Sequence, residues 1–317
     1  MDQLGFTSCA RSITLGLMSQ EIDALNALFA IKDIAAIVPG NDGLPKIQIT
    51  SPSASGEIYL HGAQVTSWRP TGSEEVLFTS ERSRWEDGRA IRGGIPVCFP
   101  WFRGKADNPE APAHGFARTR SWKLEGIGHQ EGTVTVTLAT ESDDFTRRWW
   151  PHDVRLVLRV EIGLQLKLAL TVFNTGASSF RFEEALHTYH HVGDVTQVSV
   201  TGLDGVMFLD NTDGNHEKVQ DGDVVMTAQT DNAYLNTSST LTLTDPVLQR
   251  KLRIEKRNSL TTVVWNPWDT GAKSMTDLGD EEWRKMACVE ASNILSAAVT
   301  LAPSDAHTME ASIAIIG

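Results

Sequence analysis

Two consecutive runs of alternating residues in the middle of the chain constrain its fold more than any other feature. From Val154 to Ile162, and again from Leu164 to Val172, every second residue is aliphatic, and most residues between them are polar or basic. Successive side chains of a β-strand point to opposite faces, so each run predicts a strand with one buried face. Gly163 is a candidate for the bend between the two strands.

Further segments have the same extended character. Val134–Leu138, Thr240–Thr244 and Leu260–Trp265 are rich in threonine, valine and leucine, the residues that favour strands. Loops rich in glycine, proline and aspartate separate these strands. Many short strands at such intervals are typical of two packed sheets, so we predict a mostly β fold, a large single-domain β-sandwich.

The N-terminal part of the chain has a different pattern. Ile22, Leu25, Leu28 and Phe29 follow helical spacing, and the stretch from Pro39 to Pro45 ends that pattern. We therefore expect residues 1–40 to form a partly helical N-terminal extension and residues 41–317 to form one sandwich domain that carries the function. No repeat or proline- and serine-rich linker divides the chain.

Charge and cysteine content restrict the function classes. A formal net charge of −12 argues against nucleic acid and anionic membranes as partners, because both are bound through excess lysine and arginine. A small anionic ligand remains compatible, since a few arginines can reverse the potential within a cleft. The three cysteines Cys9, Cys98 and Cys288 suit no disulfide framework, and acidic residues interrupt the N-terminal apolar patches. We expect a soluble protein of the cytoplasm.

Two arginines lie in turns that contain glycine, Arg92 in Arg-Gly-Gly-Ile-Pro and Arg118 in His-Gly-Phe-Ala-Arg. Glycine lets a backbone approach a ligand closely, and a guanidinium fork binds phosphate bidentately. Either arginine taken singly is more often structural. Pro96, Pro100 and the aromatic residues after them could wall a cleft, which favours a shared anion site, and His114 offers a donor and an acceptor for hydroxyl groups.

His187 lies in a segment, Phe180–Val192, that we predict to be one extended strand. On such a strand Phe182 and Leu186 face a core, while His187 points to the opposite side. It is equally compatible with the sequence that His187 is an ordinary surface histidine in a polar strand. A metal site built from the spacing His187-x-x-His190-His191 is disfavoured, because these side chains diverge on a strand.

Glu290 lies within the small apolar run Met286–Ala291. A buried carboxylate needs a partner or a role, and burial would raise its pKa toward that of a useful base. An exposed strand carboxylate remains the alternative. For Trp265 and Trp268, a platform that stacks on a sugar ring and a place in the core are equally compatible with the sequence.

At these residues the chain resembles the aldose 1-epimerase (mutarotase) superfamily, and within it the D-hexose-6-phosphate mutarotases, also called glucose-6-phosphate 1-epimerases. The resemblance runs in register from about Ile58 to Ile315. Leu186-His187 stands where mutarotases of free sugars usually carry Asn-His, which favours the sugar-phosphate branch. The matching segments are His61–Trp68, Arg92–Phe102, His114–Arg118, Trp150–Asp153, Leu186–Tyr189, Thr230–Asp231, Val264–Pro267 and Cys288–Glu290.

The resemblance implies a β-supersandwich and the interconversion of the α and β anomers of a hexose 6-phosphate, most plainly glucose 6-phosphate, by ring opening and reclosure at C1. It implies that His187 is the catalytic acid and Glu290 the catalytic base, with no cofactor or metal. It implies that the ligand is a small sugar phosphate, and we expect the protein to be a monomer, although the sequence itself does not fix the oligomeric state. By position, the substrate-binding residues are Arg92, His114, Arg118 and Asp231.

Three alternatives remain at this stage. The chain could act on free aldoses, or it could be a carbohydrate-binding protein without catalytic activity on the same fold. A metal-dependent sugar isomerase of the cupin type is the third. Many relatives have an aromatic residue where His190 and His191 follow Tyr189, so the sequence does not fix the preferred sugar.

Overall fold

The computed structural model describes residues 19–317, which form mainly antiparallel strands. The helices are α1 (residues 19–29), α2 (Asp144–Trp149) and α3 (Trp268–Ser274). The strands are β1 (Ala35–Pro39), β2 (Pro45–Thr50), β3 (Ala54–Tyr59), β4 (Gln64–Pro70), β5 (Val97–Cys98), β6 (Lys123–Gln130), β7 (Thr133–Glu141), β8 (Val154–Ile162), β9 (Gln165–Asn174), β10 (Phe180–Phe182), β11 (Glu184–Leu186), β12 (Tyr189–His191), β13 (Ser199–Thr201), β14 (Met207–Asp210), β15 (His216–Val219), β16 (Val224–Val225), β17 (Thr230–Leu235), β18 (Leu241–Asp245), β19 (Arg250–Arg257), β20 (Thr261–Asn266), β21 (Met286–Asn293), β22 (Val299–Leu301) and β23 (Ala306–Ile315).

The two alternating runs form adjacent strands of a nine-stranded sheet with the order β16-β13-β18-β19-β23-β9-β8-β7-β6. β8 pairs with β9 in the register Leu158 opposite Leu170 and Ile162 opposite Leu166, which confirms the predicted strands and the bend at Gly163. Leu164 lies in the bend and is 67% exposed, so it is not part of the buried face. The predicted strands around Val136, Thr242 and Val263 are also confirmed.

A second large sheet has the strand order β15-β14-β17-β20-β21-β11-β5, and β12 also pairs with β21. Side chains from both large sheets, such as Leu170 and Val289, belong to one apolar core. Alternate residues of β9 are buried, whereas all eight residues of β21 are buried. The nine-stranded sheet thus has one covered face, while β21 is covered on both. The fold is the mostly β sandwich that the sequence predicts.

The N-terminal helix packs on a third sheet with the order β1-β2-β3-β4. Ile22 is buried, and the Asn26 amide exchanges two hydrogen bonds with the backbone of Ile37, at 2.7 and 2.8 Å. Leu28, expected on the apolar face of the helix, is instead 75% exposed. The strand β1 lies within the segment expected as the N-terminal extension, and Cys9 lies outside the described residues.

Within residues 19–317, no helix combines the length and apolarity needed to cross a membrane.

Candidate active site

The central strand β21 places Glu290 on the outer side of its sheet. Val289 points into the apolar core between the sheets, so its neighbours Cys288 and Glu290 point to the opposite face. That face is buried too, because Phe102 and His114 from the loop after β5 and Asp231 of β17 lie beside it. The Glu290 carboxylate therefore lies buried beneath these side chains.

A break in the neighbouring strand brings His187 beside this carboxylate. The single strand predicted for Phe180–Val192 is wrong, since the segment forms β10, β11 and β12. Leu186 lies opposite Ala291, and Tyr189 lies opposite Cys288, so the register places His187 across from Glu290. The ladder with β21 is interrupted at His187 and Thr188, where the Thr188 N–H donates to the Leu186 carbonyl at 2.8 Å, while the His187 N–H donates to the Pro96 carbonyl on the β5 side at 3.0 Å.

The two side chains form a close, buried pair. His187 Nδ1 lies 3.2 Å from Glu290 Oε1, and the residues are 6% and 1% exposed. Among the described residues, neither carboxylate oxygen nor His187 Nδ1 has a well-aligned hydrogen-bond partner. Buried polar atoms are nearly always paired in proteins. These free donors and acceptors are therefore available to a ligand.

Burial disfavours the charged form of both members of the pair. It raises the pKa of Glu290 well above its usual value, and the nearby Asp231 carboxylate raises it further. It lowers the pKa of His187 well below its usual value, with added repulsion from Arg118 and Arg92. Burial therefore favours a neutral imidazole next to a protonated carboxyl group, so the pair shares one titratable proton.

His114 approaches the pair from a strained turn. Its φ is 63°, and Gly115, at φ 76°, follows. A Cβ atom on Gly115 would lie 1.8 Å from the Phe99 carbonyl oxygen, so only glycine fits there. The His114 ring lies 5.6 Å from the His187 ring. Burial and the charge of Arg118 lower the pKa of His114 well below its usual value, so His114 is neutral.

Arg103 connects two of the expected substrate-binding residues. Its backbone N–H donates to Nδ1 of His114 at 3.3 Å, which leaves the proton of the neutral ring on Nε2. Its guanidinium donates to Asp231 Oδ1 at 2.6 Å and to Asn211 Oδ1 at 2.9 Å. Asn211 in turn donates to Asp231 Oδ2 at 2.7 Å. Sequence reasoning missed Arg103 and Asn211, which no motif distinguishes from surface polar residues.

The two predicted arginines lie close enough to His187 to repel its protonated form. Arg92 donates to the Tyr189 hydroxyl at 2.9 Å and pairs with Asp277 Oδ2 at 3.0 Å. Arg118 donates to the Ala113 carbonyl at 3.0 Å and forms no ion pair with any described residue. An unpaired, half-buried guanidinium beside a cleft is a strong attractor for an anion.

Aromatic rings enclose the imidazole of His187. The rings of Tyr189 and Trp265 lie 4.8 and 5.9 Å from it, and Phe102 lies 6.4 Å away. Trp265 therefore faces the cleft. Trp268 instead packs on Trp283 at 4.4 Å, so of the two tryptophans considered for a sugar platform only Trp265 is placed for it.

The fold thus brings all six residues expected at the site to one cleft, although they are spread over about 200 positions. His190 and His191 do not join them. His190 is buried in the core side of β12, and His191 is half-buried beside Glu75. Tyr189, Asp277 and Cys288 complete the cleft without having been predicted there.

Comparison with known proteins gives a consistent result. The model of the family described as aldose 1-epimerase matches residues 45–314. A protein of Salmonella typhimurium, provisionally named glucose-6-phosphate 1-epimerase, is 34% identical over 272 residues, which are 84% of this chain and 90% of that protein. A protein of Cenchrus ciliaris with the same provisional name is 35% identical over 86% of this chain and 84% of its own length. A crystal structure of a provisionally assigned mutarotase from Salmonella typhimurium superposes with a TM-score of 0.85 at 31% identity, covering 94% of this chain and 99% of that one.

Proposed function

Because the chain belongs to the aldose 1-epimerase family, we propose that it interconverts the α and β anomers of glucose 6-phosphate. Family membership makes it an isomerase, and the provisional names of its relatives support a sugar phosphate as the substrate. The observation that carries the proposal is the buried His187–Glu290 pair at 3.2 Å, next to an arginine that no described carboxylate neutralises.

The reaction requires a base and an acid at adjacent atoms. A base removes the proton of the C1 hydroxyl while an acid protonates the ring oxygen, so that the C1–ring oxygen bond breaks and the aldehyde forms. Rotation about C1–C2 and closure with the two roles exchanged give the other anomer. Glu290 is the base and His187 the acid, and their closeness matches the short distance between the C1 hydroxyl and the ring oxygen of a pyranose.

Substrate binding adjusts the protonation of the pair. Burial favours neutral His187, and Arg118 and Arg92 favour it further because they repel its protonated form. A bound phosphate would compensate these positive charges and remove part of the repulsion, which favours moving the single proton of the pair from Glu290 to His187. A phosphorylated sugar would thereby prepare the charged glutamate and the protonated histidine that the reaction needs.

Arg118 and Arg92 form the phosphate site, but they differ in how strongly they bind the phosphate. Arg118 has no competing carboxylate among residues 19–317, whereas Arg92 must share its guanidinium between a phosphate and Asp277. Arg118 is therefore the main phosphate contact. His114 Nε2 and the Asp231 carboxylate, both held by Arg103, bind sugar hydroxyls.

The cysteines and the net charge indicate the cellular setting of the chain. Cys98 and Cys288 are free thiols buried beside the cleft, which suits a reducing compartment, and we assign the chain to the cytoplasm. The site is built from one chain alone, so a monomer suffices, and the net charge of −12 favours neither nucleic acid nor membrane as a partner.

The test is anomerisation of freshly dissolved α-glucose 6-phosphate, followed by polarimetry or NMR against a blank without enzyme. Free α-glucose and α-galactose are run in parallel. Faster anomerisation of the phosphorylated sugar alone is the expected result. Acceleration of galactose with no effect on the phosphate would keep the chemistry and reject the phosphate site, and no acceleration of any sugar would favour a binding protein without catalytic activity.

A further inference from the structure

The cleft contains a third potential metal ligand besides the catalytic pair. The ligand atoms of His187, Cys288 and Glu290 all lie within 4.8 Å of one another, and all three residues are buried. Cys288 and Glu290 are two residues apart on β21, so their side chains share one face, and His187 faces them from the break between β11 and β12. The mechanism above gives the thiol of Cys288 no task.

One imidazole, one thiolate and one carboxylate form a donor set that suits zinc. Zn²⁺ bonds to these ligands at about 2.0–2.3 Å in a tetrahedron, which places neighbouring donor atoms about 3.5 Å apart. The three side chains therefore need to converge by about 1 Å, a shift that small rotations of their χ angles supply. A water molecule would supply the fourth ligand.

Two further features favour a dication. The Glu290 oxygens and His187 Nδ1 are buried without a well-aligned partner among the described residues, so they are free to coordinate. A thiolate, a carboxylate and Zn²⁺ together carry no net charge, whereas either buried anion alone is penalised by desolvation. Arg92, Arg103 and Arg118 repel a cation and Asp231 attracts one, but a neutral centre interacts weakly with all four.

We propose that His187, Cys288 and Glu290 bind one Zn²⁺ ion, which inhibits the enzyme by occupying the two groups that transfer protons. Binding releases two protons to solvent, the thiol proton of Cys288 and the one titratable proton shared by His187 and Glu290, because metal ligands must be deprotonated thiolate, carboxylate or neutral imidazole. The metal here is an inhibitor and not a cofactor. The binding site does not depend on the proposed function, and only the inhibition does.

The absorption spectrum of bound Co²⁺ identifies the metal ligands directly. The full chain, free of metal, is titrated with CoCl₂ and followed by absorption. We expect one Co²⁺ per chain, the strong visible bands of a tetrahedral site and a thiolate-to-cobalt charge-transfer band in the near ultraviolet, all removed by one equivalent of ZnCl₂. A wild-type chain that shows no charge-transfer band at saturating Co²⁺ would overturn the site.

Cysteine variants identify the thiolate. Cys288→Ser should remove the charge-transfer band and weaken zinc binding at least about tenfold, since even indirect supports of a metal ligand contribute that much. Cys98→Ser and Cys9→Ser are the matched controls, and each should keep the charge-transfer band and the zinc affinity of the wild type. Cys288→Ala, checked by thermal unfolding, replaces the serine variant if that one does not fold. A band that persists without Cys288, or that disappears with Cys98 or Cys9, would refute the assignment.

Activity tests the inhibition separately. Zinc should slow the anomerisation of glucose 6-phosphate at the concentration that titrates the cobalt bands, and a chelator should restore it. Zinc that binds with the cysteine dependence above but leaves the rate unchanged would reject the inhibitory role. If the chain anomerises no sugar, the cobalt spectra still decide the metal site, so the two proposals fail independently.

Discussion

The ring of Tyr189 stacks on the imidazole of His187, with centroids 4.8 Å apart and planes inclined by 12°. The phenol hydroxyl of Tyr189 also accepts a hydrogen bond from Arg92 at 2.9 Å. One aromatic side chain therefore contacts both the proposed catalytic acid and one of the proposed phosphate ligands. It fixes the plane of the imidazole and the position of the guanidinium together.

Tyr189→Phe separates these two contacts, because it keeps the stacked ring and removes the hydroxyl. We expect kcat to change little and KM for glucose 6-phosphate to rise about 2–10-fold, the effect of one lost hydrogen bond. Arg92 keeps its ion pair with Asp277, which limits the loss. Steady-state kinetics measure both constants. A large fall in kcat with unchanged KM would show that the hydroxyl acts in the chemical step instead.

Glu290→Gln removes the proposed base with little change of shape. We expect kcat to fall about 10²–10⁴-fold, the usual contribution of one proton-transfer group. His187→Asn, which removes the acid, should give a similar loss. Each rate is compared with the uncatalysed rate of the same sugar, and circular dichroism confirms folding. Either variant with wild-type kcat would disprove the role of the residue that it replaces.

The same glutamine variant has a stability signature. The raised pKa of Glu290 means that the folded state binds this proton more tightly than the unfolded state. Its contribution to stability is present below the unfolded pKa, about 4.3, and is lost as pH rises toward the folded pKa. Glutamine does not ionise and so does not lose stability in this way. The difference in Tm between Glu290→Gln and the wild type should therefore increase as pH rises above about 4.3. A constant difference from pH 4 to pH 8 would contradict a raised pKa.

Arg118→Ala tests the phosphate site. It should raise KM for glucose 6-phosphate about 10–100-fold, because a charge-assisted contact made in both the ground state and the transition state is lost. Arg118→Lys keeps the positive charge but loses the forked guanidinium, so its KM should lie between those of the wild type and Arg118→Ala. The exposed Arg148→Ala is the matched control and should leave KM unchanged. Equal use of glucose 6-phosphate by Arg118→Ala and wild type would place the phosphate elsewhere.

The strands and the members of the site differ in how far sequence predicts them. Alternation is a local property, so β8 and β9 are readable from Val154 to Val172 without any knowledge of their partners. The interruption at His187 and Thr188 is not readable, because it depends on how this segment pairs with β21 and with Pro96, which lies 91 positions away in the chain. The resemblance to a known family predicted six site residues, and the fold brings them close together. The resemblance did not reveal Arg103, whose contacts with His114, Asn211 and Asp231 exist only once distant loops have met.

Arg103 and Asp231 should shift the pH dependence of the reaction in opposite directions. The Asp231 charge raises the pKa of Glu290, and the Arg103 charge lowers it. The catalytic pair loses its single proton mainly from Glu290, so the alkaline limb of kcat/KM follows that pKa. Asp231→Asn should move this limb to lower pH, and Arg103→Gln should move it to higher pH. In both variants kcat/KM should fall, because the support of the sugar hydroxyls is weakened.

Each pH profile is compared with that of the wild type, which cancels the titration of the substrate phosphate. The double variant should return the limb toward its original position, since the two charges are paired at 2.6 Å. Shifts of the same sign in both single variants would show that the limb belongs to a group other than Glu290.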